Sequence, residues 1–329
     1  MMKKIQTAII GMGKMGKLRA EAMTRHGGFD IVATCDTDGR CEYSDWRTCL
    51  EKAQPDAVMI CTINNIMADI VCYALARGIH VFCEKPPGRN LADTLNMKES
   101  YDRDSAVLKF GFNHRYHNSV IEAKVLADSG LLGRLVCIRG TYGKAGSETF
   151  NAEWRNKPEL SGGGILIDQG IHMLDLLLYF MGDLSADYSS VDRLAWADLP
   201  TEDSAMVFLR SKEDRVAMLH SSALQWKHKF DMDLMFTNGY IALNGLLTPT
   251  RSYGEERITY YRKDLAMETG KIGNPVENTM CFDDDDSWDC EIAEFYGAVI
   301  GDSPVKNGTI DDAIRVMRLV EDIYANGRR

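Results

Sequence analysis

Apolar and polar positions are patterned in two different ways along the chain. Over roughly the first hundred residues, short runs rich in β-branched side chains alternate with longer segments that carry apolar residues at helical spacing. This order is typical of a parallel sheet whose right-handed crossovers are helices. The predicted strands are 5–10, 30–35, 57–62, 80–83 and 107–111, and the predicted helices are 15–26, 46–52, 67–77 and 91–103.

After residue 116 the pattern changes to strands that alternate apolar and polar positions, flanked by a few helices. Two domains are therefore expected, 1–116 and 117–329, the second an α+β domain on an open, mostly antiparallel sheet, with the last helix available to pack back on the first. Predicted strands are 135–142, 188–194, 204–209, 216–221, 229–237, 240–243 and 256–261, with a turn at Asn238-Gly239. Predicted helices are 119–129, 165–181, 287–300 and 311–326, the last with Gly327 at C′.

Composition places the chain among ordinary globular proteins, with 45% hydrophobic and 26% charged residues. The net charge of −10 argues against nucleic acid or an anionic membrane as a partner, because both require clustered Lys and Arg. Nine cysteines without a C-x-x-C pair indicate buried free thiols in a reducing cytoplasm. We find no apolar run of about 18 residues and no signal peptide, so no membrane span is expected.

The segment GMGKMG at residues 11–16 is a G-x-G-x-x-G that directly follows the first predicted strand and opens the first helix. In that context Gly11 permits a tight turn, Gly13 lets the backbone approach a pyrophosphate, and Gly16 lets the helix pack closely on the strand. The helix N-terminus supplies unsatisfied N–H groups to the phosphates. We therefore predict a dinucleotide site that includes Met12, Lys14 and Met15.

Asp36 ends the second predicted strand, 20 residues after Gly16. A carboxylate there accepts hydrogen bonds from the ribose hydroxyls and repels a 2′-phosphate, which favours NAD over NADP. Arg40 lies close enough in sequence to reach such a phosphate, so NADP stays the alternative.

Two further motifs carry polar side chains suited to proton transfer. Lys85, in Glu84-Lys85-Pro86-Pro87, follows a predicted strand, and ligands of open α/β sheets bind at the carboxyl ends of strands. In the predicted helix 165–181, which follows a run of three glycines, the side chains of Asp168, His172, Asp175 and Tyr179 fall within about 60° of one another. Carboxylates within one turn of a histidine form an acid/base group, while a hydrogen-bonded core histidine and a surface lysine are the alternatives.

The ordered set GMGKMG at 11–16, EKPP at 84–87, GFNHRY at 111–116 and GGGILIDQGIHMLD at 162–175 resembles the glucose–fructose oxidoreductase, inositol dehydrogenase and MocA (Gfo/Idh/MocA) family over the whole chain. The resemblance implies an N-terminal Rossmann doubly wound parallel sheet and a C-terminal domain for substrate and oligomer contacts. It places the family's catalytic groups at Lys85, Asp168 and His172. Cofactor contacts are expected from Thr62, Asn64, Glu84 and Lys85, although Met67 stands where members often carry a histidine.

The substrate is less well defined by the sequence. Trp154, Arg155, Asn156 and Lys157 precede the glycine run and suit a phosphate or carboxylate on a sugar, or else form a loop or oligomer contact. Further candidate substrate residues are Asn113, Arg115, Tyr116 and Tyr142. The aspartate run at 283–286 is interpreted as a solvated loop, with no metal site predicted.

Taken together, these motifs predict hydride transfer between NAD and a secondary hydroxyl of a sugar, polyol or sugar nucleotide. His172 is assigned as general base, Asp168 as its partner or a direct hydroxyl ligand, and Lys85 as donor to the developing oxyanion; the roles of His172 and Lys85 are exchangeable. The alternatives are a reductase of a non-sugar substrate, such as a bile pigment or aromatic diol, and a non-catalytic sensor of dinucleotide and sugar. A homodimer or homotetramer is expected from the resemblance.

Overall fold

The chain was examined as a computed structural model that describes residues 3–146, 154–196, 198–263 and 275–328. It forms two compact units. The first comprises Met1–Asn113, Glu159–Gly162 and Ser287–Met317, and the second comprises His114–Pro158, Gly163–Asp286 and Arg318–Arg329. The segment Ser287–Met317 therefore belongs to the first unit, although it follows most of the second unit in the sequence. The predicted domain boundary at residue 116 stays a prediction.

The first unit contains the predicted parallel sheet, in the order β2-β1-β3-β4-β5. Its strands are β1 Ile5–Ile10, β2 Phe29–Cys35, β3 Ala57–Ile60, β4 His80–Glu84 and β5 Leu108–Gly111, and its helices are α1 Lys14–His26, α2 Trp46–Ala53, α3 Asn64–Leu75 and α4 Leu91–Glu99. The doubly wound parallel fold is confirmed. The strand order reverses between β1 and β3, so a crevice for ligands opens at their carboxyl ends.

A late helix, α8 (Ser287–Val299), completes the core of the first unit. Its residues Ile292 and Phe295 pack in one cluster with Ile5, Ile9 and Phe82 of the sheet. The burial of this apolar face in the sheet's core explains why α8 belongs with the first unit although it follows the second sheet in the sequence.

The same unit buries a group of charges that the sequence pattern did not predict. Arg19 of α1 is fully buried and lies 2.6 Å from both Glu84 and Glu291. Lys109 of β5 lies 3.0 Å from Glu294, and burial lowers the pKa of its ammonium. Buried charges require opposite charges nearby, and these pairs join α1, β4, β5 and α8.

The second unit is built on a sheet in the order β13-β12-β11-β10-β6-β9-β8-β7-β14, antiparallel except for the β6–β9 and β7–β14 pairs. Its strands are β6 Leu135–Gly143, β7 Leu184–Asp192, β8 Ser204–Ser211, β9 Val216–Ser222, β10 Lys229–Phe236, β11 Gly239–Asn244, β12 Glu256–Arg262, β13 Asn278–Phe282 and β14 Gly327–Arg328. The open, mostly antiparallel sheet is thus confirmed. The α-helices that complete the chain are α5 Asn118–Asp128, α6 Pro158–Ser161, α7 Ile171–Met181 and α9 Ile310–Asn326.

Buried and exposed side chains alternate along the strands, so one face of the sheet packs on the core and the other faces solvent. In β8 the side chains of Val207 and Leu209 are buried while those of Met206 and Phe208 are exposed. Several details differ from the prediction: strand β13 was not predicted, and β7 begins at Leu184 instead of residue 188. The β10–β11 turn uses residues Thr237 and Asn238, because Phe236 pairs with Gly239, and Gly327 begins β14 instead of terminating the last helix at C′.

The helical segment Pro158–Met181 has the length and mean hydropathy of a membrane span, although it contains no unbroken run of 18 apolar residues. Within the described residues it is the single helix long and apolar enough by composition, and 78% of its most apolar window is buried. Core helices of globular proteins meet the same test, and this segment packs inside the protein.

All nine cysteines are free thiols. Three of them, Cys35, Cys49 and Cys83, are buried as expected, whereas Cys281 and Cys290 are exposed. The interpretation of every cysteine as a buried core residue is therefore too broad.

Glu256, at the start of β12, organises the beginning of α5. Its buried carboxylate lies 2.7 Å from Nδ1 of His117 and accepts the backbone N–H groups of Ser119 and Leu247 at 2.9 and 3.0 Å. Burial acts to raise the pKa of the Glu256 carboxyl, but these hydrogen bonds outweigh it and hold the pKa below its ordinary value of 4.5.

Glu256→Gln is expected to lower the free energy of unfolding by about 2–3 kcal/mol at pH 7, because it removes a buried charge from its three partners. Since the folded pKa is lowered, the carboxylate stabilises the fold above its unfolded pKa, and the effect is lost as pH falls through the folded value. Urea titrations at pH 7 and at acid pH will measure this. The difference between variant and parent should shrink in acid, whereas Asp233→Asn, at an exposed ion pair with Arg139, should change little at either pH.

Candidate functional site

The glycine loop lies at the point where the order of the parallel sheet reverses. Gly11 has a φ of +92°, and a Cβ atom on it would lie 2.5 Å from the carbonyl oxygen of Cys61, just after β3. A Cβ on Gly16 would lie 2.0 Å from the oxygen of Gly11, whereas one on Gly13 would meet nothing within 4 Å. The loop is therefore closed on the protein side and open at Gly13, where a ligand's phosphates require close backbone approach.

Asp36 is held beside this loop. Its Oδ2 accepts the backbone N–H of Met12 at 2.7 Å. Arg40 is the residue for which NADP was kept as the alternative cofactor. It is exposed, and its Nε donates to Asp38 at 2.7 Å. The carboxylate at the end of β2 thus faces the glycine loop, while the nearby guanidinium is engaged by another carboxylate.

A nicotinamide dinucleotide fits these residues. The first turn of α1, which includes Lys14 and Met15, has no acidic side chain and no side-chain cap, so its N–H groups are available to an anion. Beside Gly11, the hydroxyl oxygen of Thr62 is buried without a hydrogen-bond partner. Such an orphaned buried oxygen is expected where a bound ligand supplies the missing partner.

Other predicted cofactor residues make contacts within the first unit. Asn64 Nδ2 donates to the carbonyl oxygen of Ser161 at 2.8 Å, and Glu84 accepts from Arg19 Nε at 2.6 Å. Lys85 is partly exposed at the carboxyl end of β4, and its bond to Pro86 is cis. The cofactor and catalytic roles of Asn64, Glu84 and Lys85 stay predictions.

The predicted helix 165–181 is interrupted. Leu166–Gly170 forms a π-helical turn, and the α-helix α7 begins at Ile171. A π turn has more residues per turn than an α-helix, so the 100° spacing behind the predicted stripe does not hold here. Asp168 pairs with Lys144, whereas Asp175 pairs with Arg115. The prediction of one polar stripe through these side chains is therefore wrong.

Asp168 is held by two cations. Lys144 Nζ lies 2.6 Å from its Oδ2, and Arg155 Nε lies 3.2 Å from its Oδ1. Gln169 Nε2 donates to Oδ2 at 3.3 Å, and the guanidinium of Arg155 lies 4.7 Å from the ring centroid of Trp154. Arg155 and Asp168 were predicted from the sequence, whereas Lys144 was missed. The available signal for Lys144 was its position directly after β6, two residues beyond the candidate Tyr142.

His172, at the start of α7, lies in an aromatic shell. Its ring stacks on that of His114 with centroids 3.8 Å apart, and His114 Nε2 lies 3.0 Å from the hydroxyl of Tyr142. Tyr253 lies against Tyr142 at 5.5 Å and donates to Gln169 Oε1 at 3.4 Å. The sequence identified His172 and Tyr142, but His114 and Tyr253 were missed as site residues.

Both phenols of this shell are hydrogen-bond donors at neutral pH. Burial raises the pKa of Tyr142 well above its ordinary value of 10, and burial raises the pKa of Tyr253 to about 12. Together with Lys144 and Arg155, they surround Asp168 and His172 with groups that bind hydroxyl or anionic oxygens.

Arg115 and Asp175 form a separate buried ion pair with two hydrogen bonds of 2.6 and 2.8 Å, and the Arg115 guanidinium lies 4.8 Å from the ring centroid of Tyr179. This pairing gives Asp175 a structural role. Asn113 belongs to the first unit, with its amide 3.5 Å from Ser287 Oγ. Substrate contacts from Arg115 and Asn113 stay predictions.

Over the described part of the chain, no group of three or more His, Cys, Asp or Glu side chains is placed to hold a metal.

Two family models cover most of the chain. Residues 5–112 match the NAD-binding Rossmann fold of an oxidoreductase family, and residues 120–242 match the Gfo/Idh/MocA C-terminal domain. The chain belongs to the Gfo/Idh/MocA family.

Curated members of the Gfo/Idh/MocA family share part of this sequence. Levoglucosan dehydrogenase of Pseudarthrobacter phenanthrenivorans is 32% identical over 56% of this chain and 53% of its own length. D-glucoside 3-dehydrogenase of Escherichia coli is 30% identical over 54% of each chain. The match thus spans about half the length of these two relatives.

Solved structures of the Gfo/Idh/MocA family share the whole fold. Levoglucosan dehydrogenase in complex with NADH has a TM-score of 0.83 and 19% identity, covering 99% of this chain and 98% of that chain. A 3-ketoreductase from Actinomadura kijaniata in complex with NADP and TDP-benzene has a TM-score of 0.83 and 17% identity, covering 99% of this chain and 98% of that one. At these identities the likeness shows the fold alone.

Lys144→Met tests the newly found contact to Asp168 in this member of the Gfo/Idh/MocA family. Removing the shorter of the two cation contacts weakens the hold on Asp168, so kcat/KM is expected to fall about tenfold or more, with the NADH dissociation constant unchanged. Steady-state kinetics and NADH fluorescence titration measure the two quantities. Arg139→Met removes an ion pair of the same length from the exposed part of β6 and serves as the control; equal effects of both substitutions would contradict a role in the site.

Proposed function

We propose that the protein is an NAD-dependent dehydrogenase that transfers a hydride between the nicotinamide and a carbon bearing a secondary hydroxyl of a sugar, polyol or sugar nucleotide. One observation carries this proposal. Asp168, clamped by Lys144 and Arg155, lies four residues before His172 in a chain whose first strand ends in the glycine loop. The dehydrogenases named among its relatives support the same reaction class.

When bound, NAD supplies the hydride acceptor. The protein's part is to remove the hydroxyl proton and to orient the carbon. We assign His172 as the base, because its ring is fixed by stacking on His114. Asp168, ionised between two cations, orients His172 or accepts a substrate hydroxyl. Lys85 donates to the oxygen as negative charge develops on it, and the roles of Lys85 and His172 are exchangeable.

The polarity of the residues around Asp168 favours a carbohydrate over a bile pigment or an aromatic diol. Lys144, Arg155, Gln169 and Tyr253 offer N–H and O–H donors that match the oxygens of a polyhydroxylated ligand. A flat apolar substrate would offer these donors no hydrogen-bond acceptors. A sensor of dinucleotide and sugar needs binding residues but has no need for proton-transfer groups such as His172.

The remaining expectations about partners and location enter as proposals. A homodimer or homotetramer is supported by the exposed side chains of Tyr188, Met206 and Phe208 on β7 and β8, which leave an apolar face of the sheet open. The cytoplasm is supported by nine free thiols. The net charge of −10 supports a small-molecule substrate over nucleic acid or a membrane surface.

Asp36→Ala tests the choice of NAD. Loss of the carboxylate removes a hydrogen-bond acceptor for the ribose and its repulsion of a 2′-phosphate, so the ratio of kcat/KM for NAD to that for NADP is expected to fall at least about tenfold. Asp36→Asn keeps an acceptor but removes the charge, and it should relax the preference for NAD while retaining more activity. An unchanged ratio in both variants would rule out Asp36 as the determinant.

Lys85→Met, Asp168→Asn and His172→Ala test the assignment of the catalytic groups. Each is expected to lower turnover by about 100-fold or more while leaving NADH affinity unchanged, because proton transfer and orientation act on the chemical step. The assay follows NADH absorbance with inositols, hexoses, sugar phosphates and nucleotide sugars as substrates. Parent-like turnover in the Lys85 and His172 variants would overturn the assignment.

A further inference from the structure

Trp226 is presented to solvent in a strained conformation. It follows β9 in a loop of the second unit, exposes 72% of its surface and has a φ of +54°. A bulky residue rarely adopts a positive φ, and a large apolar side chain gains nothing from exposure. Both features oppose folding, and such local strain is retained where a functional site requires it.

A second tryptophan lies beside it on a firmly held loop. The ring centroid of Trp196 is 5.8 Å from that of Trp226, with the planes inclined at 43°. Trp196 packs against a small apolar cluster that contains Ile165. The fully buried carboxylate of Asp203 accepts the backbone N–H groups of three successive residues at 2.9–3.0 Å: Leu194, Ala195 and Trp196. The two indoles thus form a preorganised aromatic surface, which we call the tryptophan platform.

Contacts on one side join the tryptophan platform to Asp168. The backbone N–H of Gln225 donates to the carbonyl oxygen of Lys144 at 3.2 Å, and the side chain of Lys144 reaches Asp168 at 2.6 Å. Gly146, two residues after Lys144, lies directly under the ring of Trp196, since a Cβ there would be 2.4 Å from it.

Contacts on the other side join the same loop to the aromatic shell of His172. The ring of His228 lies edge-on to that of Tyr253 with centroids 4.9 Å apart. Tyr253 in turn contacts Tyr142 and donates to Gln169, the neighbour of Asp168. The loop that carries Trp226 is therefore connected on both sides, through Gln225 and His228, to residues that would hold the reacting sugar.

We propose that the tryptophan platform of Trp196 and Trp226 binds the second ring of a glycoside, that is, the sugar or aglycone joined to the ring that is oxidised. The face of a pyranose ring that carries C–H groups is apolar and packs on an indole, while its hydroxyls stay at the polar edge. The substrate class is accordingly a glycoside or disaccharide rather than a free monosaccharide. This inference rests on the proposed function.

Saturation-transfer NMR with the intact protein tests the tryptophan platform without requiring turnover. The probes are cellobiose, maltose, lactose and sucrose, with glucose as the single-ring comparison. The parent is expected to bind at least one disaccharide with contacts to both rings. Trp226→Ala should weaken that binding about tenfold and leave the affinity for glucose unchanged, whereas Trp226→Phe, which keeps an aromatic ring, should retain most of it.

The matched control is Leu131→Ala, which removes an exposed apolar side chain from the loop before β6 in the same unit, and it should behave as the parent. An unchanged ratio of disaccharide to glucose affinity in Trp226→Ala would overturn the proposal, as would failure of the parent to bind any of the four disaccharides. Light scattering tests whether a second copy of the chain occupies the tryptophan platform instead of a sugar. Dissociation of an oligomer caused by Trp226→Ala would show that it does and would overturn the proposal.

Turnover separates this inference from the proposed function. Oxidation of monosaccharides with NAD but no Trp226-dependent binding would reject the tryptophan platform and keep the dehydrogenase. Trp226-dependent binding of a disaccharide without NADH formation from any sugar would keep the tryptophan platform and reject the dehydrogenase.

Discussion

The buried guanidinium of Arg19 is the interaction on which the first unit depends. It extends from the helix that the glycine loop opens and pairs at 2.6 Å with Glu84, the residue before Lys85, and with Glu291 of α8. Burial raises the pKa of Glu291, and the charge of Arg19 opposes that rise. Because a fully buried guanidinium requires carboxylates beside it, the three segments are held in one arrangement. The dinucleotide loop and the strand that ends at Glu84, just before Lys85, are therefore positioned by the same contact.

In the second unit the corresponding constraint is the π-helical turn before α7. Glu202 accepts the N–H groups of Gly164 and Leu166 with its buried carboxylate, at 2.9 and 3.0 Å, and thereby satisfies donors at the start of the helix. The turn directs Asp168 toward Lys144 and Arg155, while the α-helix beyond it carries Asp175 to a different partner. A regular α-helix would place these two carboxylates on one face, two turns apart. The π turn thus separates a carboxylate of the candidate site from one that stabilises the core.

Much of the fold could be predicted because its signals are local. Strands such as β8 and β10 alternate buried and exposed side chains, and this period of two is visible in the sequence. Strand Asn278–Phe282 was missed because its side chains are mostly exposed and carry no such alternation. The π turn was missed because no local pattern marks it; the backbone donors of Gly164 and Leu166 at its start are satisfied by Glu202, which is 36 residues from Leu166. Of the candidate site, Asp168 and His172 lie in a motif, and Arg155 and Tyr142 were named as candidate substrate residues, Arg155 because it precedes the glycine run; Lys144 and Tyr253 were missed, and they belong to no motif.

The sequence by itself determined the order of strands and helices, the glycine loop and the carboxylate at the end of the second strand. Each of these depends on backbone requirements or on periodicity within a short stretch of chain. Tertiary structure alone decided which charges meet. Asp168 pairs with Lys144, 24 residues away, and Arg115 pairs with Asp175, 60 residues away. It also decided that the loop carrying Trp226 is connected to Lys144 and Tyr253, through contacts made by Gln225 and His228. Pairings of this kind depend on how the strands and helices pack, and no local pattern encodes them.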